Sequence, residues 1–413
     1  MTYTHPSLTS LSTAVLALAL VGASSVSAAP APAFEQPPVM QASKVLPQQL
    51  RQSANYKVQE RVVTDGFMYM YQVDSAWGPL QVTSNALLEQ YLHELDVVAQ
   101  LEGVKGSSEF AGAMKDVGAD VVGGAATLIR NPIDTMGGAV SGVGAMFGRA
   151  NEALVSGGVK GDQDSALAEI AGYTKLKREY AHEFGVDVYS RNPILQSQLD
   201  AVSRAAFAGN VTAKVAFMAV PGGAGAVVSV AKNTRTLNEA LRDLPPLELR
   251  KRNRGLLEAM KVDPELADLF VESPVFTPRE QSVVVEALLS MASTRNRDAF
   301  VRQAILTSDA DSAFFRQRQA EMYANYHRSR SLARFVSVGQ VAVGQREDGH
   351  LVFCAPLDVL YWTPRMAEFL EVFESQLGGM GEVKGKELVL GGSITPMARS
   401  ELTKRGWSVT GAP

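Results

Sequence analysis

The chain has 413 residues, of which 46% are hydrophobic and 20% are charged, and its formal net charge is −4. This composition is typical of a globular protein, and the small negative charge excludes a global attraction to nucleic acid or anionic lipid. The single cysteine, Cys354, excludes an intramolecular disulfide, so the hydrophobic core has to stabilise the fold. A chain of this length is expected to form about two or three domains.

Residues 1–28 have the pattern of a signal peptide. They contain no Lys, Arg, Asp or Glu, and the apolar centre, 14–21, is shorter than the roughly 20 residues of a spanning helix. Val26-Ser27-Ala28 fits the small-residue pattern that precedes a cleavage site. The usual basic residue near the start of such a peptide is missing, and a buried N-terminal helix is the alternative interpretation. We expect export to the periplasm or cell envelope.

Residues 29–54 are expected to form a tether after the signal peptide. Prolines stand at positions 30, 32, 37, 38 and 47. Proline fixes φ and lacks a backbone N–H, so this spacing favours extended polyproline II and opposes helix or sheet pairing.

A small antiparallel sheet is predicted over residues 55–84. Apolar and polar residues alternate over 56–63, which is the period of a strand. Asp65-Gly66 is a strong hairpin signal, and 67–73 follows as the partner strand. The segment 78–83 is a candidate third strand.

Helices are predicted to dominate residues 85–334, with a subdivision near Pro245-Pro246. Threonine followed by proline predicts three helix starts, at Thr277, Thr363 and Thr395. On the first of the long helices, Glu89, His93 and Asp96 have a spacing that could ligate a metal, although a solvated helix face has the same spacing. We therefore predict no metal site.

Glycine-rich stretches within the helical part predict flat helix faces. Gly138, Gly142 and Ala145 lie opposite a bulky apolar stripe, and small residues allow another backbone to approach closely. Charged residues interrupt 117–148 and Pro-Gly-Gly divides 215–231, so a transmembrane hairpin is disfavoured. Two interpretations remain: a buried helical core, or a surface that associates with a membrane or a partner.

A basic cluster within the helical part is a second candidate interaction surface. Four basic residues could contact phosphate or lipid head groups, and a solvated turn between helices is the alternative interpretation. They are Arg250, Lys251, Arg252 and Arg254.

Residues 335–413 are predicted to form a small α/β unit with the order ββαβαβ. Two strands, 338–347 and 350–361, flank the turn at Asp348-Gly349, and two helices begin at Pro364 and Pro396. The β-α-β-α-β portion implies parallel strands. The whole chain is therefore predicted to be α+β: a mainly helical body, an N-terminal antiparallel sheet and this C-terminal unit.

The ends of these parallel strands form the candidate ligand site. Ligands of α/β folds gather where strand ends lead into helix N-termini, whose free N–H groups favour an anion. Trp362 offers a stacking surface and Arg365 a positive charge. The candidate residues are Trp362, Thr363, Arg365, Gly391, Gly392, Ser393 and Thr395.

We find no catalytic motif, and Cys354, within an apolar run, is expected to be an inert buried thiol. The function predicted first is therefore that of an exported bacterial-type cell-envelope protein that contacts a protein partner or a membrane surface. It is expected to use no cofactor and to bind no nucleic acid. The alternative is an enzyme or a binder of a small anion or other ligand at the C-terminal strand ends.

The signal peptide predicted over residues 1–28 gives a direct prediction about processing. The mature protein should begin at Ala29 or Pro30, and replacing Leu16 and Leu18 with Arg should block cleavage because it interrupts the apolar centre. Mass spectrometry of the purified native protein checks this. An N-terminus at Met1 or Thr2 would contradict it.

Overall fold

The computed structural model describes residues 34–106, 163–209, 235–379 and 383–412. The predicted signal peptide and the glycine-rich segments, 117–148 and 215–231, lie outside the described residues. Within the described ranges the predicted α+β class is confirmed, with a mainly helical body, an antiparallel N-terminal sheet and a mixed C-terminal sheet.

The N-terminal sheet is built around one long central strand. β4 pairs along its length with β5 and, at its two ends, with β3 and β2, and all pairings are antiparallel. Its strands are β1 (Met40–Gln41), β2 (Tyr56–Val58), β3 (Arg61–Thr64), β4 (Tyr69–Ser75) and β5 (Gly78–Thr83). The predicted hairpin at Asp65-Gly66 joins β3 to β4, whereas the single strand predicted over 56–63 is two strands.

The tether predicted over 29–54 is wrong for residues 40–51. Met40 pairs with Val62 and Gln41 with Arg61, and two short helices follow, α1 (Ala42–Val45) and α2 (Gln48–Arg51). The proline spacing opposes regular structure only locally, and the residues between the prolines are free to pair. Ala42 and Leu46 are buried in the core of the sheet, which stabilises the segment.

The helix α3 (Asn85–Gly106) packs on the buried face of this sheet, and α4 (Gln163–Glu183) and α5 (Pro193–Ala208) contribute to the same core. Leu88, Leu92 and Leu95 of α3 pack in one core with Tyr71 and Val73 of β4. The apolar spacing predicted for α3 thus faces the sheet.

Helices continue to the C-terminal sheet: α6 (Arg235–Asp243), α7 (Pro246–Ala259), α8 (Pro264–Val271), α9 (Pro278–Ser290), α10 (Asp298–Ile305) and α11 (Ala310–Ser329). The break predicted at Pro245-Pro246 separates α6 from α7. The Thr277 side chain caps α9 in a capping box with Glu280, as the sequence predicts. None of the helices within the described ranges is long and apolar enough to cross a membrane.

The C-terminal sheet has the order β12-β10-β8-β7-β6. The strands β8, β10 and β12 are parallel, as predicted, and β6 and β7 add an antiparallel edge. The elements are β6 (Leu332–Val338), β7 (Val341–Arg346), β8 (His350–Ala355), β9 (Val359–Leu360), α12 (Pro364–Ser375), β10 (Gly385–Leu390), β11 (Ser393–Ile394), α13 (Pro396–Lys404) and β12 (Trp407–Gly411). The strand predicted over 338–347 therefore splits at Gly339, whose φ of +58° allows the turn.

Helices cover both faces of this sheet. Val352 and Cys354 of β8 pack against the core of α8–α11, whereas Leu351 and Ala355 of the same strand pack with residues of α12 and α13. The sheet is thus the middle of three layers, as expected for strands joined by helical crossovers.

Candidate functional site

The residues predicted at the strand ends come together where β9 pairs with β11. Ser393 lies opposite Val359 in this parallel pair. The Thr363 side chain caps α12 by accepting a hydrogen bond from Met366 N, and the Thr395 side chain caps α13 in the same way from Ala398 N, each at 3.2 Å. The two helix N-termini therefore open side by side, as the sequence predicts.

The anion at these helix starts is a carboxylate of the chain itself. Glu35 Oε2 accepts hydrogen bonds from Trp362 N and from Thr395 Oγ1, each at 2.6 Å, and Glu35 N donates to Trp362 O at 2.8 Å. Two donors beside the helix starts, Trp362 N and Thr395 Oγ1, are thus bonded to a carboxylate of the fold itself.

The Trp362 ring is packed too closely to receive a ligand, whereas Gly391 and Gly392 are exposed at the strand end. Trp362 is fully buried, so the stacking surface predicted for it is wrong. A Cβ on Gly392 would lie 2.0 Å from Asp358 O, and one on Gly391 would lie 3.3 Å from Pro356 Cα. Glycine is needed at Gly392 because the two backbone segments touch there.

Asp358 is a buried acid that sequence reasoning missed. Its carboxylate accepts hydrogen bonds from Tyr69 N at 2.9 Å and from Asn85 N at 3.0 Å, which belong to the N-terminal sheet and to the start of α3. Burial raises the pKa of Asp358 to about 6, while the two backbone donors oppose this rise. The sequence feature that could have indicated Asp358 is its position as the one acidic residue within the apolar run 350–361.

A pocket of about 340 Å³ lies beside the strand ends, between the sheet and the helices α11 and α12. This volume falls within the range of small-molecule sites. Arg365 is the one residue of the predicted site that lines it. The other lining residues are Phe67, Gln303, Phe315, Arg316, Val341, Phe353, Ala355, Leu357, Leu360, Met366, Phe369, Leu370, Phe373, Leu388, Leu402 and Trp407.

The polar groups of this pocket are two arginines and one glutamine. Arg365 is exposed over 78% of its side chain, and its guanidinium lies 5.6 Å from the Phe67 ring centre and 4.0 Å from Asp65. Gln303 Oε1 accepts a hydrogen bond from Ala342 N at 3.2 Å. Arg316 belongs to α11, and its Nε is buried without a hydrogen-bond partner. The residues described as lining the pocket include no carboxylate.

The basic cluster lies on the helix α7 and not in a turn. Each of its four side chains is within ion-pair distance of an acidic residue, so this surface carries balanced charge. The pairs are Arg250–Glu272, Lys251–Glu248, Arg252–Glu286 and Arg254–Asp268. Gly138, Gly142 and Ala145 lie outside the described residues.

The cysteine and two of the candidate metal-ligating side chains of α3 are buried or make contacts within the fold. Cys354 is buried on β8, and burial raises the pKa of its thiol. On α3, His93 Nε2 lies 3.2 Å from Gly185 O, and Asp96 accepts hydrogen bonds from Ser53 and Asn55. In the ranges that the structure describes, no group of three or more His, Cys, Asp or Glu side chains could hold a metal ion.

A second, small cleft of about 50 Å³ is lined by Gln90 and Ser190, which bond to the buried Glu94 of α3. The two carboxylate oxygens accept hydrogen bonds from Gln90 Nε2 and Ser190 Oγ, each at 2.9 Å. Burial raises the pKa of Glu94 to about 8, against the effect of these two donors. The network couples α3 to the segment after α4, where Arg191 pairs with Glu280.

The comparisons with known proteins leave the site to be interpreted on its own chemistry. A scan against protein-family models finds no match, and searches of curated proteins and of solved structures find none either.

We predict that Asp358→Ala destabilises the protein because two backbone N–H groups lose their acceptor. The loss should be about 1–3 kcal/mol for each buried donor. Asp74→Ala is the matched control, since exposed Asp74 bonds only to the Gln59 side chain and should change stability by less than about 0.5 kcal/mol. Urea denaturation measures both, and equal effects would contradict the assignment.

We predict a pH dependence of stability from Glu94. Its pKa is higher in the folded state than in the unfolded chain, so folded protein binds more protons and stability falls as the pH rises from about 4.5 to about 8. Glu94→Gln removes this titration, and the slope of unfolding free energy against pH should flatten. An unchanged slope in denaturation series at several pH values would refute the prediction.

Proposed function

We propose that this protein binds a small, mainly apolar molecule in the pocket between the C-terminal sheet and α12. The lining carries the proposal: apolar side chains surround a volume of about 340 Å³, with few polar groups among them. Such a composition is that of small-molecule sites, where apolar contacts supply affinity and a few polar groups supply orientation.

The aromatic residues of the pocket form a connected wall. Phe353 lies 6.2 Å from Phe369 and 6.4 Å from Phe373, measured between ring centres, and Phe373 lies 5.7 Å from Trp407. Rings held in such pairs keep their positions and present a stable apolar surface. A ligand that covers this surface gains roughly 25 cal/mol for each Å² of apolar area removed from water.

The chemistry of the lining favours binding over catalysis. Among the described residues that line the pocket there is no Asp, Glu, His, Cys, Lys, Ser, Thr or Tyr. General acid–base and nucleophilic catalysis use those side chains, and neither arginine nor glutamine replaces them at neutral pH. The proposed role is therefore that of a carrier or sensor of its ligand.

The leader supports an exported location for this binding protein. The predicted peptide, 1–28, and the apolar centre within it would direct the chain out of the cytoplasm. Contact with a protein partner or a membrane surface, the other predicted function, depends on the glycine-rich segments and on a basic cluster whose charges are paired. Ligand binding has the stronger support.

Filling the pocket should abolish binding. Val341 lines the pocket at the start of β7 and is partly exposed, so Val341→Trp can place a large ring in the open volume. We expect the affinity for the apolar fluorophore 1-N-phenylnaphthylamine to fall by at least about tenfold. Fluorescence titration measures it.

Val372→Trp is the matched control, because Val372 is 55% exposed on α12 and does not line the pocket. It should leave the titration unchanged. Saturable binding that is equally tight in Val341→Trp would contradict the proposed function, as would the absence of binding by the unmodified protein.

A further inference from the structure

Arg316 is a cation without an anionic partner in a mainly apolar pocket. It stands near the start of α11, and no carboxylate of the described residues lies within ion-pair distance of its guanidinium. Burial lowers the pKa of Arg316, as expected for a charge removed from water without compensation. Such a charge is costly to a fold unless an anion pairs with it.

The side chain of Arg316 is held in a fixed orientation. Its Nη1 donates to Gln319 Oε1 at 2.8 Å, and Gln319, which is fully buried, donates from Nε2 to Cys354 O at 2.8 Å. The guanidinium carbon also lies 5.5 Å from the Phe315 ring centre. These contacts tie the guanidinium to β8, so it is preorganised before any ligand arrives.

One edge of the guanidinium has no hydrogen-bond partner among the described residues. Nη1 is engaged by Gln319, whereas Nε is buried without a partner and no described residue bonds to Nη2. The Nε and Nη2 donors are parallel and together match the two oxygens of a carboxylate. The edge without a partner is thus the one that forms a bidentate pair.

Resting on the proposed function, we propose that the ligand is a linear aliphatic monocarboxylate whose carboxylate pairs with the Nε–Nη2 edge of Arg316. The aliphatic chain then lies along the aromatic wall of Phe353, Phe369 and Phe373. The single negative charge of a monocarboxylate is matched by the Arg316 guanidinium, whereas a phosphate dianion would keep an uncompensated charge beside it in an apolar environment.

Arg365 has a different part in this arrangement. Its side chain is mostly exposed and lies near Asp65, so it is hydrated and already close to a negative charge. We expect it to attract an anion towards the mouth of the pocket without fixing it, because exposed ion pairs contribute little affinity.

Calorimetric titration with octanoate and with 1-octanol tests the proposal, since the two molecules share a chain and differ in charge. The unmodified protein should bind octanoate at least about tenfold more tightly than 1-octanol. Arg316→Met should remove this preference and leave the affinity for 1-octanol within about twofold. Arg316→Lys keeps the charge but loses the fork, so the preference should shrink without vanishing.

Arg318→Met is the matched control, because Arg318 is two residues further along α11, pairs with Glu321 and does not line the pocket. This variant should keep the preference of the unmodified protein for octanoate over 1-octanol. Equal affinity for octanoate and 1-octanol, or a preference lost in Arg365→Met and kept in Arg316→Met, would overturn the Arg316 assignment while leaving the proposed function intact. Failure of both molecules to bind would overturn both proposals.

Discussion

A buried carboxylate joins the N-terminal sheet to the strand ends of the C-terminal sheet. Asp358 accepts hydrogen bonds from Tyr69 N and Asn85 N, which are almost 300 positions away in the chain. Main-chain bonds reinforce the contact: Asp358 N and Val359 N donate to Phe67 O, and Tyr361 N donates to Gly66 O. Each donor would be costly if left unpaired, so these bonds select one arrangement of the two sheets.

The pocket beside the strand ends depends on this junction. Phe67 forms part of the pocket lining, and it reaches that position because its carbonyl is bonded to the segment after β8. Gly66 makes the approach possible, with φ of +95° and only 2.9 Å between the place of a Cβ and Thr363 Cγ2. A change at the junction would therefore alter the wall of the pocket as well as the stability of the fold.

The local features of the fold could be predicted from the sequence because their causes are local. Thr277, Thr363 and Thr395 cap helices through bonds to residues three positions on, and the turn at Asp348-Gly349 joins neighbouring strands. The pairing of Met40 with Val62 could not be predicted, because the proline pattern describes only the preference of the segment itself. Tertiary pairing decided its conformation.

Of the seven candidate ligand-site residues predicted from the sequence, only Arg365 lines the pocket. The sequence brings the two helix starts together, but it does not show that Glu35 reaches them across more than 300 positions. Arg316 had a weak local signal, since it shares a helix face with buried Ala313, Ala320 and Tyr323. An arginine on an apolar helix face often forms an ion pair with an acidic residue that is distant in the sequence. Only the three-dimensional structure could show that no described carboxylate pairs with Arg316.

Glu35 and Arg316 both carry a charge that needs polar partners, and the fold supplies these partners more completely to Glu35. Each is a partly buried charged group near the C-terminal sheet, and each is stabilised by partners of complementary character. The fold supplies those partners to Glu35, so the helix starts that resemble an anion site serve to stabilise the structure. It supplies Arg316 with one amide oxygen and leaves Nε buried without a partner in a residue that lines an apolar pocket. This difference, more than the position of the strand ends, separates the structural contact at Glu35 from the ligand site proposed at Arg316.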